Sequence, residues 1–316
     1  MLRRTLAGLV TGLFLLLSAS AALATPLPEG VVYQLPPPLA VAGEVTLPAV
    51  PYLEWRDGCT PTAVGTVIAY YDAVGYPDLY SGDPYQMIAS HSENGEPRHY
   101  EDYALPIETT VLLPDKSELP AGDEHPSDCV ADFMHTSWSV DGNDYSATHT
   151  GMELPGFRGY WNLSYAEQQV WDESWMPMSW WQFTAAIDAG YPVVADMLGH
   201  TALFVGYRET RGYREYAQPK GVSQFWQRWQ DGYFRGRIFV VGADTTPPTV
   251  SFRCRRNSVF PRASDATSGV KNIWLRSEAW GPEWQCRSCF KRGIGTVFYY
   301  AEDWAGNESA VRSVTF

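Results

Sequence analysis

The sequence predicts an α+β domain followed by a small all-β domain, and three observations lead there. First, Gly58-Cys59-Thr60-Pro61-Thr62-Ala63 opens a stretch with helical periodicity that runs to Gly75. Second, the helix-like Ser179–Ala189 segment is followed by the apolar run Val193–Leu198. The β-like Gly199-His200-Thr201-Ala202-Leu203-Phe204-Val205-Gly206-Tyr207 then comes directly after it. Third, after Pro247-Pro248 the chain reads only as short strands separated by Asp, Gly, Ser and Asn turns, and its charge changes sign.

Taken in order, the N-terminus has the pattern of an export signal. Arg3 and Arg4 precede an apolar stretch from Leu6 to Leu17, and Ala22-Leu23-Ala24 fits a small-residue cleavage site. The expectation is a signal peptide over 1–24, no membrane span, and a secreted, periplasmic or extracellular protein. Residues 25–47, with Leu35-Pro36-Pro37-Pro38, read as a Pro-rich leader. A first domain is expected over 48–246 and a second over 247–316. The 316 residues carry a formal charge of −13. Residues 25–246 hold 11 basic and 30 acidic side chains, net −19, whereas 247–316 hold 10 and 6, net +4. An acidic chain of this kind lacks the basic face that nucleic acid requires, so no nucleic-acid partner is expected. Aromatic residues at 14% exclude wholesale disorder.

Cys59 is the candidate nucleophile. It stands at the mouth of the helix, where unpaired N–H groups and the positive dipole end stabilise an anion, and Pro61 suits the first turn. Ala63, Val67, Tyr70/Tyr71 and Val74 would share one face. His200 follows Cys59 by 141 residues. Thiol enzymes of the papain type separate the two by roughly 130–150 residues, because nucleophile and base come from different parts of the fold. The competing reading makes Cys59 a small buried residue or half of a Cys59–Cys129 disulfide.

The residues also carry a family resemblance. Gly58-Cys59-Thr60-Pro61-Thr62-Ala63 with Ala69-Tyr70-Tyr71-Asp72 and Gly75-Tyr76 resembles the cysteine segment of bacteriocin-processing-like (double-glycine) cysteine peptidases of the papain-like superfamily. Asp132-Phe133-Met134 and the Gly-His…Val-Gly-Tyr run are similar to exported members of that group. The resemblance covers most of residues 48–243. It implies an α+β papain-like cysteine-peptidase domain and an exported thiol hydrolase of peptide bonds, with a peptide or protein substrate and no metal or cofactor. Cys59 would be nucleophile and His200 general base. The family's third member, Asp or Asn, orients the imidazole; the expected region offers Gln218, with Asp231 as second choice. The family's oxyanion-hole Gln would fall at Leu53, which has no donor, leaving Trp55 or Arg56. These departures keep two alternatives open: an inactive or weakened papain-like scaffold at the cell surface, and a cell-wall amidase.

Among other candidates, Cys129 reads as a buried small residue in a short helix. Scattered His91, His99, His125, His135 and His149 form no zinc-binding spacing. Asp141-Gly142-Asn143-Asp144 reads as a solvated turn rather than a calcium loop. Trp180, Trp181, Phe183 and Ile187 read as core, on a helix whose Ser179 and Gln182 form a capping box. In the second domain, Asp244–Thr249, Ser268-Gly269-Val270 and Ala301-Glu302-Asp303-Trp304-Ala305-Gly306-Asn307 resemble bacterial immunoglobulin-like modules, implying a small all-β sandwich. Cys254 would bridge to Cys286 or Cys289. Arg253, Arg255, Arg256, Arg287, Lys291 and Arg292 would face an anionic cell-surface polymer, the acidic first domain, or solvent.

Overall fold

The structure, a computed structural model, describes residues 35–74, 76, 79–92, 127–138, 147–165, 170–210, 212–220, 223–241, 246–255, 258–265, 270–277, 284–285, 291–292, 295–303 and 306–315. The signal segment 1–24, Gly75, His99, His125, Asp141-Gly142-Asn143-Asp144, Cys286 and Cys289 lie outside the described residues, as does the side chain of Cys254.

In chain order the elements are β1 (Leu39–Val41), β2 (Glu44–Thr46), α1 (Cys59–Val74), a 3₁₀ turn (Pro84–Gln86), α2 (Val130–Phe133), α3 (Glu153–Ser164) and β3 (Val170–Trp175). There follow α4 (Trp180–Asp188), β4 (Val193–Met197), β5 (His200–Phe204), β6 (Gly206–Thr210), β7 (Tyr213–Lys220), β8 (Ser223–Arg228) and β9 (Arg235–Val241). The last are β10 (Thr249–Arg255), β11 (Ser258–Ser264), β12 (Val270–Arg276), β13 (Trp284–Gln285), β14 (Lys291–Arg292), β15 (Thr296–Asp303) and β16 (Arg312–Thr315).

They form four antiparallel sheets, ordered β1-β2-β6-β7-β8, β3-β9-β4-β5, β10-β11-β14 and β13-β12-β15-β16. Strand β9 reads Arg-Gly-Arg-Ile-Phe-Val-Val and is buried from Gly236 to Val241, as a strand covered on both faces must be. It pairs with β3 and with β4, so it is the spine of its sheet. From Leu35 onward the stretch read as a leader joins the fold. Leu35 and Leu47 are buried in the main core, and β2 pairs with β6.

α1 is buried from Thr60 to Tyr71 on nearly all sides, Thr62 excepted, rather than along the single face its periodicity suggests. It is tied to its surroundings by two phenols, Tyr70 to the Gly190 carbonyl at 3.0 Å and Tyr71 to the Phe239 carbonyl at 2.6 Å. Tyr71, Phe157, Trp161 and Phe239 pack ring to ring around it, with centroid separations of 4.4–5.6 Å. Burying such large rings supplies much of the driving force for packing the helix against the sheet. The Ser179–Gln182 capping box starts α4, and Trp180, Phe183 and Ile187 point into the core. A second, smaller core of Leu275, Val297 and Tyr299, with Val250 and Val314 against it, lies among the C-terminal strands. Lys271 Nζ on β12 reaches Glu302 at 3.2 Å and Glu173 of β3 at 2.8 Å.

The expected fold class is corrected. An α+β papain-like peptidase domain followed by an immunoglobulin-like sandwich does not describe this chain, which is mostly β among the described residues: 42% strand against 23% helix, with four sheets and only four helices there. The physical reason is visible from residue 170 onward. There the chain runs through β4–β5, β6–β7 and β7–β8 as successive hairpins, so one well-marked helix at Cys59 does not set the balance of layers. A spacing between two reactive residues constrains where they meet, not what architecture brings them there. Among the described residues no helix is long and apolar enough to cross a membrane.

Candidate active site

Cys59 is the first residue of α1 and is half-buried. The helix begins there because Gly58, at φ +108°, turns the chain in a conformation that side chains with a Cβ rarely adopt. The Gly58 carbonyl then accepts from the Thr62 N–H at 3.2 Å and from the Thr62 hydroxyl at 2.6 Å. Neither Cys59 nor Cys129 is in a disulfide, so the alternative pairing of these two is not formed. Cys129 is fully buried and caps α2, its sulfur accepting from the Asp132 N–H at 3.4 Å. Burial, then the neighbouring Asp132, pushes its thiol well above the ordinary range.

His200 opens β5 directly after the Leu198-Gly199 turn, is paired in register with Met197, and is exposed. The residues next to the two candidates meet. Thr60 Oγ1 and Thr201 Oγ1 are 2.9 Å apart, a buried hydrogen bond across 141 residues of sequence. It fastens the mouth of α1 to the start of β5. No hydrogen bond joins Cys59 to His200 among the described residues. The thiol's polar neighbour is Thr60 Oγ1 at 4.0 Å, the outer limit for sulfur.

No hydrogen bond joins Gln218 to His200 among the described residues. Gln218 lies on β7, paired in register with Phe225 of β8, and its amide donates to Gln227 Oε1 at 3.2 Å. The same oxygen accepts from the Tyr216 hydroxyl. Asp231 sits in the Asp231–Tyr233 turn and accepts from Trp229 Nε1 at 2.8 Å. Neither engagement leads to His200. On the oxyanion side, Leu53 is buried, Trp55 is exposed, and Arg56 pairs with Glu54 at 3.3 Å. The loop before Cys59 also borders a cleft of about 430 Å³, lined by Leu47, Val50, Tyr52, Val205 and Pro219.

The sequence reading missed the polar groups behind this site. Thr201 donates to Asp196 Oδ1 at 2.9 Å, across the β4–β5 ladder. Asp196 in turn meets Glu153, the fully buried first residue of α3. Burial, then the hydrogen bond and repulsion from Glu153, push the Asp196 carboxyl up to about 6. Glu153 Oε2 accepts from the Gly151 N–H at 2.8 Å and faces Arg237 at 3.7 Å. Arg237, on β9 and 5% exposed, also binds Asp172 of β3. The signal that reveals this group is a charged residue flanked by apolar neighbours in each of two strands, Asp196 in β4 and Arg237 before the Ile-Phe-Val-Val run of β9. Charged groups are almost never fully buried without a partner.

Asp57, two residues before Cys59, is 1% exposed, and neither carboxyl oxygen makes a well-formed hydrogen bond. Burial pushes its carboxyl up to about 6, moderated by the nearby Ser90 and Arg56. His91 hydrogen-bonds Tyr80 at 2.8 Å and His135 stacks on Trp138. Among the described residues no group of three or more His, Cys, Asp or Glu is arranged to hold a metal ion. No protein-family model and no curated protein matches the chain.

Proposed function

We propose that the protein is an exported thiol hydrolase of peptide bonds, with Cys59 as nucleophile and His200 as base. The observation that carries the reading is the Thr60–Thr201 bond, which brings a free cysteine at a helix mouth to the end of a strand headed by an exposed histidine. The resemblance of Gly58–Ala63 to the bacteriocin-processing-like peptidases supports the same assignment. In the reaction, the Cys59 thiol gives its proton to His200 and its sulfur bonds to the substrate carbonyl carbon. Backbone N–H groups of the first helical turn hold the developing oxyanion. His200 then protonates the leaving amine as the C–N bond breaks, and water hydrolyses the thioester with His200 again taking the proton.

A second reading has its own observation. Leu53 is buried where an oxyanion donor is expected and Gln218 is engaged by Gln227, which favours a binding protein without turnover. Alkylation of Cys59 by iodoacetamide, followed by peptide mass across pH, separates the two, together with hydrolysis of an unstructured protein and of peptidoglycan. The expected result is that His200→Ala slows Cys59 alkylation near neutral pH about tenfold or more and that Cys59→Ala abolishes hydrolysis. An alkylation profile unchanged by His200→Ala, with no hydrolysis of either substrate, overturns the enzyme reading. Hydrolysis confined to peptidoglycan assigns the same pair to a wall amidase.

A further inference from the structure

We propose that Asp196 and Glu153 share one proton and act, through Thr201 and Thr60, as a positioning network that sets the placement of the helix mouth bearing Cys59. The inference rests on the reading of Cys59 as the reactive thiol. The chain of contacts has one consistent direction. Thr201 donates to Asp196, which leaves Thr60 to donate in its bond with Thr201, and in the proposed state a protonated Asp196 offers its acid proton to Glu153. The last step is the chemistry we infer: Glu153 Oε1 is buried with no hydrogen-bond partner, and the Asp196 carboxyl interacts with the Glu153 side chain. Two carboxylates so close cannot both ionise without strong repulsion, so one proton between them is the satisfied state.

Every element packed around this pair contributes a charged or polar group. α3 gives Glu153, β9 gives Arg237 and Arg235, β3 gives Asp172, and β5 gives Thr201. Arg237 is divided between Asp172 and Glu153, so it does not neutralise a second charge on Asp196. Arg235 opposes Asp196 across the β4–β9 ladder and moderates its charge. Loss of the shared proton therefore leaves two like charges behind β5, and relief of that repulsion moves Asp196 and the Thr201–Thr60 joint with it. Asp196 and Thr201 are positioning residues, not catalytic ones: they touch the framework of Cys59, not its sulfur.

The test measures Cys59 alkylation by iodoacetamide, read by peptide mass from pH 5 to 8, in the full chain. Asp196→Asn keeps the shape, accepts from Thr201 and always donates to Glu153, so it mimics the protonated pair. It is expected to remove the inflection that the pair contributes to the wild-type profile near pH 6. Thr201→Val breaks the joint and is expected to change the alkylation rate at pH 6 by about fivefold, the equivalent of one buried hydrogen bond. Thr201→Ser restores the hydroxyl and with it the wild-type rate. A wild-type profile in Asp196→Asn together with a wild-type rate in Thr201→Val overturns the proposal. If Thr201→Val does not fold, Asp196→Asn and Thr201→Ser decide alone, a wild-type profile in Asp196→Asn then overturning it. The two hypotheses fail separately. An effect of His200→Ala with none from the network variants rejects only the network, and the converse rejects only the His200 pairing.

Discussion

At the scale of single residues, the buried acids dominate the behaviour of the site. Asp57 carries a carboxyl raised from an ordinary 3.8 to about 6 by burial, opposed by Ser90 and Arg56. A raised carboxyl binds its proton more tightly in the folded chain than in the unfolded one. Its contribution to stability is therefore fully present below about pH 4 and is lost as pH climbs through 6. Asp57→Asn removes that dependence. Urea unfolding at pH 7.5 is expected to find the variant more stable than wild type by about 1–3 kcal/mol, with the difference vanishing or reversing near pH 4. An identical pH slope in the two proteins rejects the assignment. The two residues of the proposed pair, Cys59 and His200, could be nominated from the sequence, since a cysteine after Gly58 and a histidine opening an apolar strand are both local patterns. Their supports could not. Nothing in the order of residues says that Thr60 meets Thr201, or that Gln218 turns toward Gln227 rather than toward His200, because those choices depend on strand register.

Secondary-structure elements hold the site through a few close approaches. Gly206 lies where β2 crosses onto β6: a Cβ there would stand 2.7 Å from the Val45 carbonyl oxygen and 3.1 Å from the Thr46 Cα. These are backbone atoms, which cannot swing aside. Gly206→Ala is expected to push the β1–β2 hairpin off its sheet and to cost about 1–3 kcal/mol, read as a lower midpoint in urea and faster amide exchange over residues 44–47. Tyr71 offers a milder test. Tyr71→Phe removes the 2.6 Å bond to the Phe239 carbonyl while keeping the ring packing, and is expected to cost about 1–2 kcal/mol in the same unfolding assay. Several elements could be read directly from the chain, among them the start of α1, the capped α4 and strand β4 after it, because each carries its own local signal of cap, proline or alternation. The dominance of sheet could not. Strands draw their stability from partners distant in sequence, so a lone run such as β8, with mixed exposure, gives little indication that it will pair.

Across the whole molecule, the C-terminal strands are joined to the rest through Lys271. Burial alone would lower its ammonium, but Glu173 and Glu302 outweigh that effect and hold it above the ordinary lysine range. Its contacts span β3 on one side and β15 on the other. Lys271→Met keeps the stem and removes the charge, leaving two half-buried carboxylates facing each other. The expected cost is about 1–2 kcal/mol, and amide exchange over β3 and β12 is expected to accelerate severalfold. Unchanged exchange would show that the bridge does not hold these strands together. The charge division noted in the sequence, net −19 before residue 247 and +4 after it, is consistent with such a joint but did not single out this lysine from the basic residues around it.

The Thr60–Thr201 bond has a consequence for time as well as place. It closes a span of 141 residues, so the helix mouth and the histidine strand cannot meet until nearly everything between them has been laid down. Contacts of such separation form late, because the loss of chain freedom comes before the contacts that offset it. On the proposed reading of Cys59 as nucleophile, a nascent or partly folded copy would carry a cysteine without its partner strand. Thiol reactivity would then arrive only with the completed fold, sparing the chain its own chemistry while it is still being made.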